Sequence, residues 1–159
     1  MSVEPSVKNA AALLLAHWTA EVPSYGRAVV HGETEVRALE ARFGVNVPAP
    51  FRTYLLAACS TFDDGGEMDA SFNAWWGLDR IIAVRDGYDH DLKNAALSGG
   101  AATSLIFADH MLLCMAWAIC CGQGPNYGRV FVINEPARFV ADDFATFVAE
   151  YIKEPSHLL

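Results

Sequence analysis

The chain has 159 residues, 53% of them hydrophobic and 19% charged, and a formal net charge of -8. That length fits one domain with a core large enough to need no metal or disulfide staple, and the apolar content excludes a disordered chain. The acidic balance excludes nucleic acid and anionic membranes as natural partners and favours basic ones. The longest apolar run, residues 111–121, falls short of the roughly 20 residues a spanning helix needs. Residues 10–16 could pass for the core of a signal peptide. However, Glu4 precedes them, and His17 and Trp18 follow where small cleavage-site residues belong, so a mature helix in a cytoplasmic protein is expected. Cys59, Cys114, Cys120 and Cys121 all sit in apolar surroundings, as free cysteines used as small hydrophobes do.

In chain order, residues 7–18 predict a helix capped by Ser6, with Val7, Ala11, Leu14, Leu15 and Trp18 on one face. Pro23, Ser24, Tyr25 and Gly26 break it. A second helix is expected over 34–43, capped by Thr34 and buried through Val36, Leu39 and Phe43, with Gly44 as its stop. Val45, Asn46, Val47 and Pro48 form an extended connector. A third helix over 50–59 starts on Pro50 and buries Phe51, Tyr54, Leu55, Ala58 and Cys59. Asp63, Asp64, Gly65 and Gly66 form a turn.

Residues 67–78, with Phe72, Trp75 and Trp76, predict the first strand or hairpin. The two tryptophans alternate across a strand, so one belongs in the core, and Trp76 is the expected one. Residues 79–97 predict a helical segment with Ile81, Ile82, Tyr88, Leu92 and Ala96 inward, and Ser98, Gly99 and Gly100 a turn. Three apolar runs follow: 104–108, then 111–120 after a polar break at Asp109 and His110, then 129–134 after a turn at 122–128. They read as consecutive strands of an antiparallel sheet, the middle one covered on both faces. Pro136 ends that block. The last helix is capped by Asp142 and buries Phe144, Phe147, Val148, Tyr151 and Ile152, and Pro155 closes it. Helices first, sheet in the middle and helix last make an α+β domain: N-terminal helices, a central and mostly antiparallel sheet, and a C-terminal helix packed on it.

The order of these signals resembles the SUKH superfamily, which includes the yeast Smi/Knr cell-wall regulators and many bacterial immunity proteins. The likeness is carried by Glu35-Val-Arg-Ala-Leu-Glu-Ala-Arg-Phe-Gly44, the Val47-Pro48 step, the aromatic helix Phe51-Arg-Thr-Tyr-Leu-Leu56, and the Asp64-Gly-Gly66 turn. It continues through Trp76-Gly-Leu-Asp-Arg-Ile81, Leu105-Ile-Phe-Ala-Asp109 and Phe139-Val-Ala-Asp-Asp-Phe-Ala-Thr-Phe-Val148. Isoleucine stands where the family has proline in the Phe-Ala strand, and cysteine replaces a usual polar residue at Cys120-Cys121. Residues 33–159 are therefore expected to form a SUKH-like domain, with 1–32 as a helical extension of it. The resemblance implies a non-catalytic, cytoplasmic protein-binding domain that neutralises a toxin domain. The alternative is a regulatory or scaffolding module for a host protein such as a cell-wall enzyme.

The chemistry-bearing residues favour packing over catalysis. Cys114, Cys120 and Cys121 with His110 lack the spacing of a zinc site, and adjacent strand cysteines point to opposite faces. His110 with Cys114 has no third orienting group for a nucleophile and base. Asp89-His90-Asp91 reads as a solvated face, and Gly122-Gln-Gly124 as a hairpin turn because no helix follows it. No catalytic residue, metal or cofactor is expected. The candidate partner-binding face is acidic with an aromatic anchor: Asp63, Asp64, Glu67, Asp69 and Trp75, extended by Asp86, Asp89 and Asp91. Acidic groups speed encounter with a basic toxin domain, and a buried aromatic supplies holding energy.

Overall fold

The computed structural model describes residues 9–21, 32–57, 68–88, 97, 100–134 and 136–159. It is an α+β domain. Helix α1 spans Asn9–Glu21, α2 Glu33–Phe43 and α3 Ala49–Ala57. Strand β1 is Asn73–Trp75, β2 Ile82–Ala83, and a single helical turn α4 covers Val84–Gly87. Strands β3 (Ser104–His110), β4 (Met115–Cys120), β5 (Val130–Ile133) and β6 (Arg138–Ala141) follow, then α5 (Phe144–Lys153) and a 3-10 turn at Pro155–Leu158.

The helices form for the reasons their sequences suggest, with local corrections at the caps. On α1, Ala11, Leu14 and Trp18 are buried, and the helix packs against α3 and α5. Helix α2 is capped by the backbone of Gly32, not by Thr34; the Gly32 amide donates to the Glu35 carboxylate at 2.9 Å. Its other end closes on Gly44 at φ 66°, the left-handed conformation that glycine adopts without steric cost. Glu40 ties α2 to α3. Its carboxylate accepts from the Val47 amide and from the Arg52 guanidinium, each at 3.0 Å. On α5 the cap is Asp143 rather than Asp142, accepting from the Thr146 amide at 2.7 Å.

The sheet is antiparallel throughout, in the order β1-β3-β4-β5-β6, with β2 also paired to β3. Strand β4 is therefore central, as its lack of polar alternation requires. Three readings of the chain are corrected here. Asp109 and His110 do not break β3 but end it, paired with Ala116 and Met115. The block does not stop at Pro136, because β6 adds a further strand beside β5. Of the described residues 68–78, Asn73–Trp75 form strand, and residues 79–88 hold the end of the 3-10 turn Leu78–Arg80, β2 and α4 rather than one helix, while 89–96 lie outside the described residues. Expectations placed on Ser6, Val7, residues 23–26, Ala58, Cys59, residues 63–66, Leu92, Ala96, Ser98 and Gly99 lie outside the described residues.

One strand of the sheet carries an extra residue. Strand pairing shifts between Ile106 and Ala108, so Phe107 is an extra residue in β3. Trp117 faces α5, donating its indole N–H to the Leu158 carbonyl at 2.8 Å and packing on Phe147. Phe107 turns to the same side, against Phe51, Phe144 and Phe147. Trp75, opposite Ala108, completes an aromatic core with Trp18, Tyr54 and Tyr151. Each such ring contributes on the order of 2–3 kcal/mol by burial, which makes this cluster the main stabilising element.

Candidate functional site

The β3–β4 hairpin ends in residues 111–114, where the backbone does something unusual. Met111, Leu112 and Leu113 have φ of 49°, 56° and 71°, and Phe72 has φ 63°. These are the four non-glycine residues with positive φ among those described, and all four are large and apolar. They are also exposed: Leu112 is 78% accessible, Phe72 58%, Met111 52% and Leu113 47%. Left-handed backbone costs an L-residue about 1–2 kcal/mol, and strain of this kind persists only where the surroundings over-determine it.

Asp109 supplies that determination. It is 2% accessible, and its carboxylate accepts from the Trp76 indole at 2.7 Å and from the Leu113 amide at 3.0 Å. Arg80 lies 3.7 Å from the same carboxylate and stacks its guanidinium over the Trp76 ring. The Met111 amide donates to the Phe72 carbonyl, and the Tyr88 hydroxyl donates to the Leu113 carbonyl at 3.1 Å. Burial, then the nearby Asp109 charge, push the Tyr88 phenol up, so it keeps the proton it donates. At the end of β3, His110 Nδ1 lies 2.8 Å from the side-chain oxygen of Asn73 on the neighbouring strand β1. The product is a rigid tip that presents four apolar side chains to solvent.

The residues singled out from the sequence fall elsewhere. Trp75 is in the core rather than on a binding face, because it stands opposite Ala108 on the helix side of the sheet. Trp76 is buried too: β1 ends at Trp75, and Trp76 turns to the other side to meet Asp109. Asp69 is 6% accessible and does not face a partner. Its carboxylate accepts from the Ser71 and Asn73 amides and from the Tyr151 hydroxyl, which pins the turn before β1 to α5. Asp86 is exposed and ion-paired to Arg85. Asp63, Asp64, Glu67, Asp89 and Asp91 lie outside the described residues. Sequence reasoning missed the tip because Met-Leu-Leu after a polar pair reads as the start of a buried strand. No residue there signals positive φ as glycine or asparagine would.

The thiols and cavities show what other chemistry is present. Cys120 and Cys121 are buried, whereas Cys114 is exposed at the hairpin, contrary to its apolar neighbours in sequence. Burial pushes the Cys120 and Cys121 thiols up, away from the reactive thiolate. Among the described residues no three His, Cys, Asp or Glu side chains stand close enough to hold a metal. A cavity of about 200 Å³ lies beside the 122–127 turn, bordered by Thr103, Ser104 and Cys120. A groove of about 220 Å³ runs between α2 and Leu78–Asp79. Neither gathers a nucleophile, a base and an orienting group. Among the described residues no helix is long and apolar enough to cross a membrane.

No curated protein matches the chain in a sequence comparison. The model of the SMI1 / KNR4 family (SUKH-1) matches residues 32–150, which takes in α2 through most of α5 and the whole sheet. With three quarters of its length under that match, the chain belongs to the SMI1 / KNR4 family (SUKH-1).

Proposed function

We propose that this is a non-catalytic protein-binding domain of the immunity type, which neutralises a cognate bacterial toxin domain by covering its active site. Family membership carries this reading. The net charge of -8 supports a basic partner such as a nuclease, whose substrate groove an acidic surface can occupy in place of a nucleic acid. The mechanism is steric and electrostatic, and a standard interface of about 1,600 Å² is sufficient. The protein acts in the cytoplasm, where it meets the toxin before the toxin meets its target.

Stoichiometric capture from the native host, followed by inhibition of the captured protein's activity, tests the reading. A partner carrying a basic toxin domain that loses activity on binding is the expected outcome. A cell-wall or metabolic enzyme as partner replaces it with the regulatory reading. The acidic face is tested separately with Asp63→Lys, Asp64→Lys and Glu67→Lys combined. Association should slow and lose its salt sensitivity; an unchanged rate removes these residues from the interface.

A further inference from the structure

Exposed, strained and apolar coincide at the hairpin tip, and each property costs the free protein something. Large apolar side chains in water raise the risk of self-association, and left-handed backbone at Met111, Leu112 and Leu113 lowers stability. A buried carboxylate, Asp109, is spent on holding that arrangement, with Trp76 and Arg80 behind it. The tip is thus preorganised, and the ordering cost of docking has been met before any partner arrives. Phenylalanine and methionine are among the side chains enriched at interface cores.

Charge chooses among the occupants. The sequence from Asp63 to Asp91 holds eight acidic residues against two arginines. That stretch contributes most of the chain's net charge of -8. Of its two arginines, Arg80 is held to Asp109 and Arg85 to Asp86. A second copy of this chain would bring the same negative charge, and an anionic lipid surface would repel it.

We propose that Phe72, Met111, Leu112 and Leu113 form the docking surface of this domain, and that its occupant is a protein whose complementary cleft is apolar with a basic rim. This rests on the protein-binding reading and adds to it where the contact is made and what the other side looks like. The apolar tip supplies the anchor and governs dissociation. The chain's net negative charge steers approach and governs association.

Photo-crosslinking in the native host tests this, with p-benzoylphenylalanine placed at position 112 and, as a control, at exposed position 41 on α2. Position 112 should join the chain to one protein with a basic domain, and position 41 should not. With that protein purified, Leu112→Asp combined with Met111→Asp should weaken binding by about 30-fold or more, and raising salt from about 50 to 500 mM should slow association about tenfold. Circular dichroism verifies that the variant is folded. An adduct formed equally from position 41, or binding unmoved by the aspartates, overturns the tip while leaving the protein-binding reading intact. An adduct of two copies of this chain overturns the proposed occupant. So does co-sedimentation with phosphatidylcholine–phosphatidylglycerol vesicles that the aspartates abolish. No protein adduct from either position removes the protein-binding reading itself.

Discussion

Replacing Asp109 with asparagine isolates the group that holds the tip. The carboxylate offers one oxygen to the Trp76 indole and the other to the Leu113 amide. An amide of the same shape offers one oxygen and one NH2, so one of those two donors must face another donor. Losing one charge-assisted hydrogen bond in a buried site costs about 1.5–3 kcal/mol. The Arg80 contact adds little, since that side chain reaches solvent and the separation is 3.7 Å. Asp109→Asn should therefore destabilise the fold by about 2–3 kcal/mol, which lowers a urea midpoint by about 1–1.5 M at a slope near 2 kcal/mol/M. The companion variant is Leu112→Gly. It relieves a left-handed leucine costing about 1–2 kcal/mol against glycine's own penalty of about 0.5–1 kcal/mol, so stability should rise slightly. In the Asp109→Asn background the tip is already relaxed, and that gain should vanish. Urea titration followed by tryptophan fluorescence measures all four proteins. An unchanged midpoint for Asp109→Asn, or additive effects of the pair, would refute the account of how the strained turn is held.

Tyr151→Phe removes the hydroxyl that donates to the buried Asp69 carboxylate, and should cost about 1.5–3 kcal/mol in the same titration. In the folded protein, Cys114 should react with Ellman's reagent at the rate of a free thiol, while Cys120 and Cys121 wait on unfolding. Equal rates for the three would show that the sheet opens readily. Because burial raises the Cys120 and Cys121 thiols, the folded chain binds their protons more tightly than the unfolded one. Their contribution is complete below the unfolded thiol value near pH 8.5. Above it stability should fall, by up to about 1.4 kcal/mol per pH unit for the more buried Cys121, as urea midpoints at successive alkaline pH values would record.

Much of the frame was legible because periodicity reports burial directly. The stripes Ala11-Leu14-Trp18, Phe51-Tyr54-Leu55 and Phe144-Phe147-Val148-Tyr151 all face the core, and the uninterrupted apolar run of β4 marks the sheet's centre. Failures occurred where a tertiary partner outweighs local character. Asp109 reads as a break but ends a strand, because the Trp76 indole satisfies it inside. Asp69 reads as solvated but is buried, because two backbone amides and a tyrosine hydroxyl surround it. Trp75 and Trp76 are both inside because Trp75 packs in the aromatic core while Trp76, past the end of the strand, turns to the other side and is held there by Asp109. The tip was the least legible part. Apolar composition predicts burial, and only the backbone angles at Phe72 and residues 111–113 reveal that these side chains point outward.

The extra residue in β3 has a consequence for how the chain tolerates length changes. Ahead of Phe107 the partners are Leu105 with Ile119 and Ile106 with Ala118; beyond it they are Ala108 with Trp117 and Asp109 with Ala116. Deleting Phe107 would remove the bulge and join the pairs on either side of it into one regular ladder. Ala108, Asp109 and His110 would keep their partners and their faces, and the loss would be the ring packed on Phe51, Phe144 and Phe147. A residue added to β3 that entered the ladder would instead move those beyond it to the opposite face and part Asp109 from Trp76. Side chains at the tip can be exchanged without touching this register, and the bulge beneath can absorb the loss of one residue, whereas an added one would turn the hairpin over.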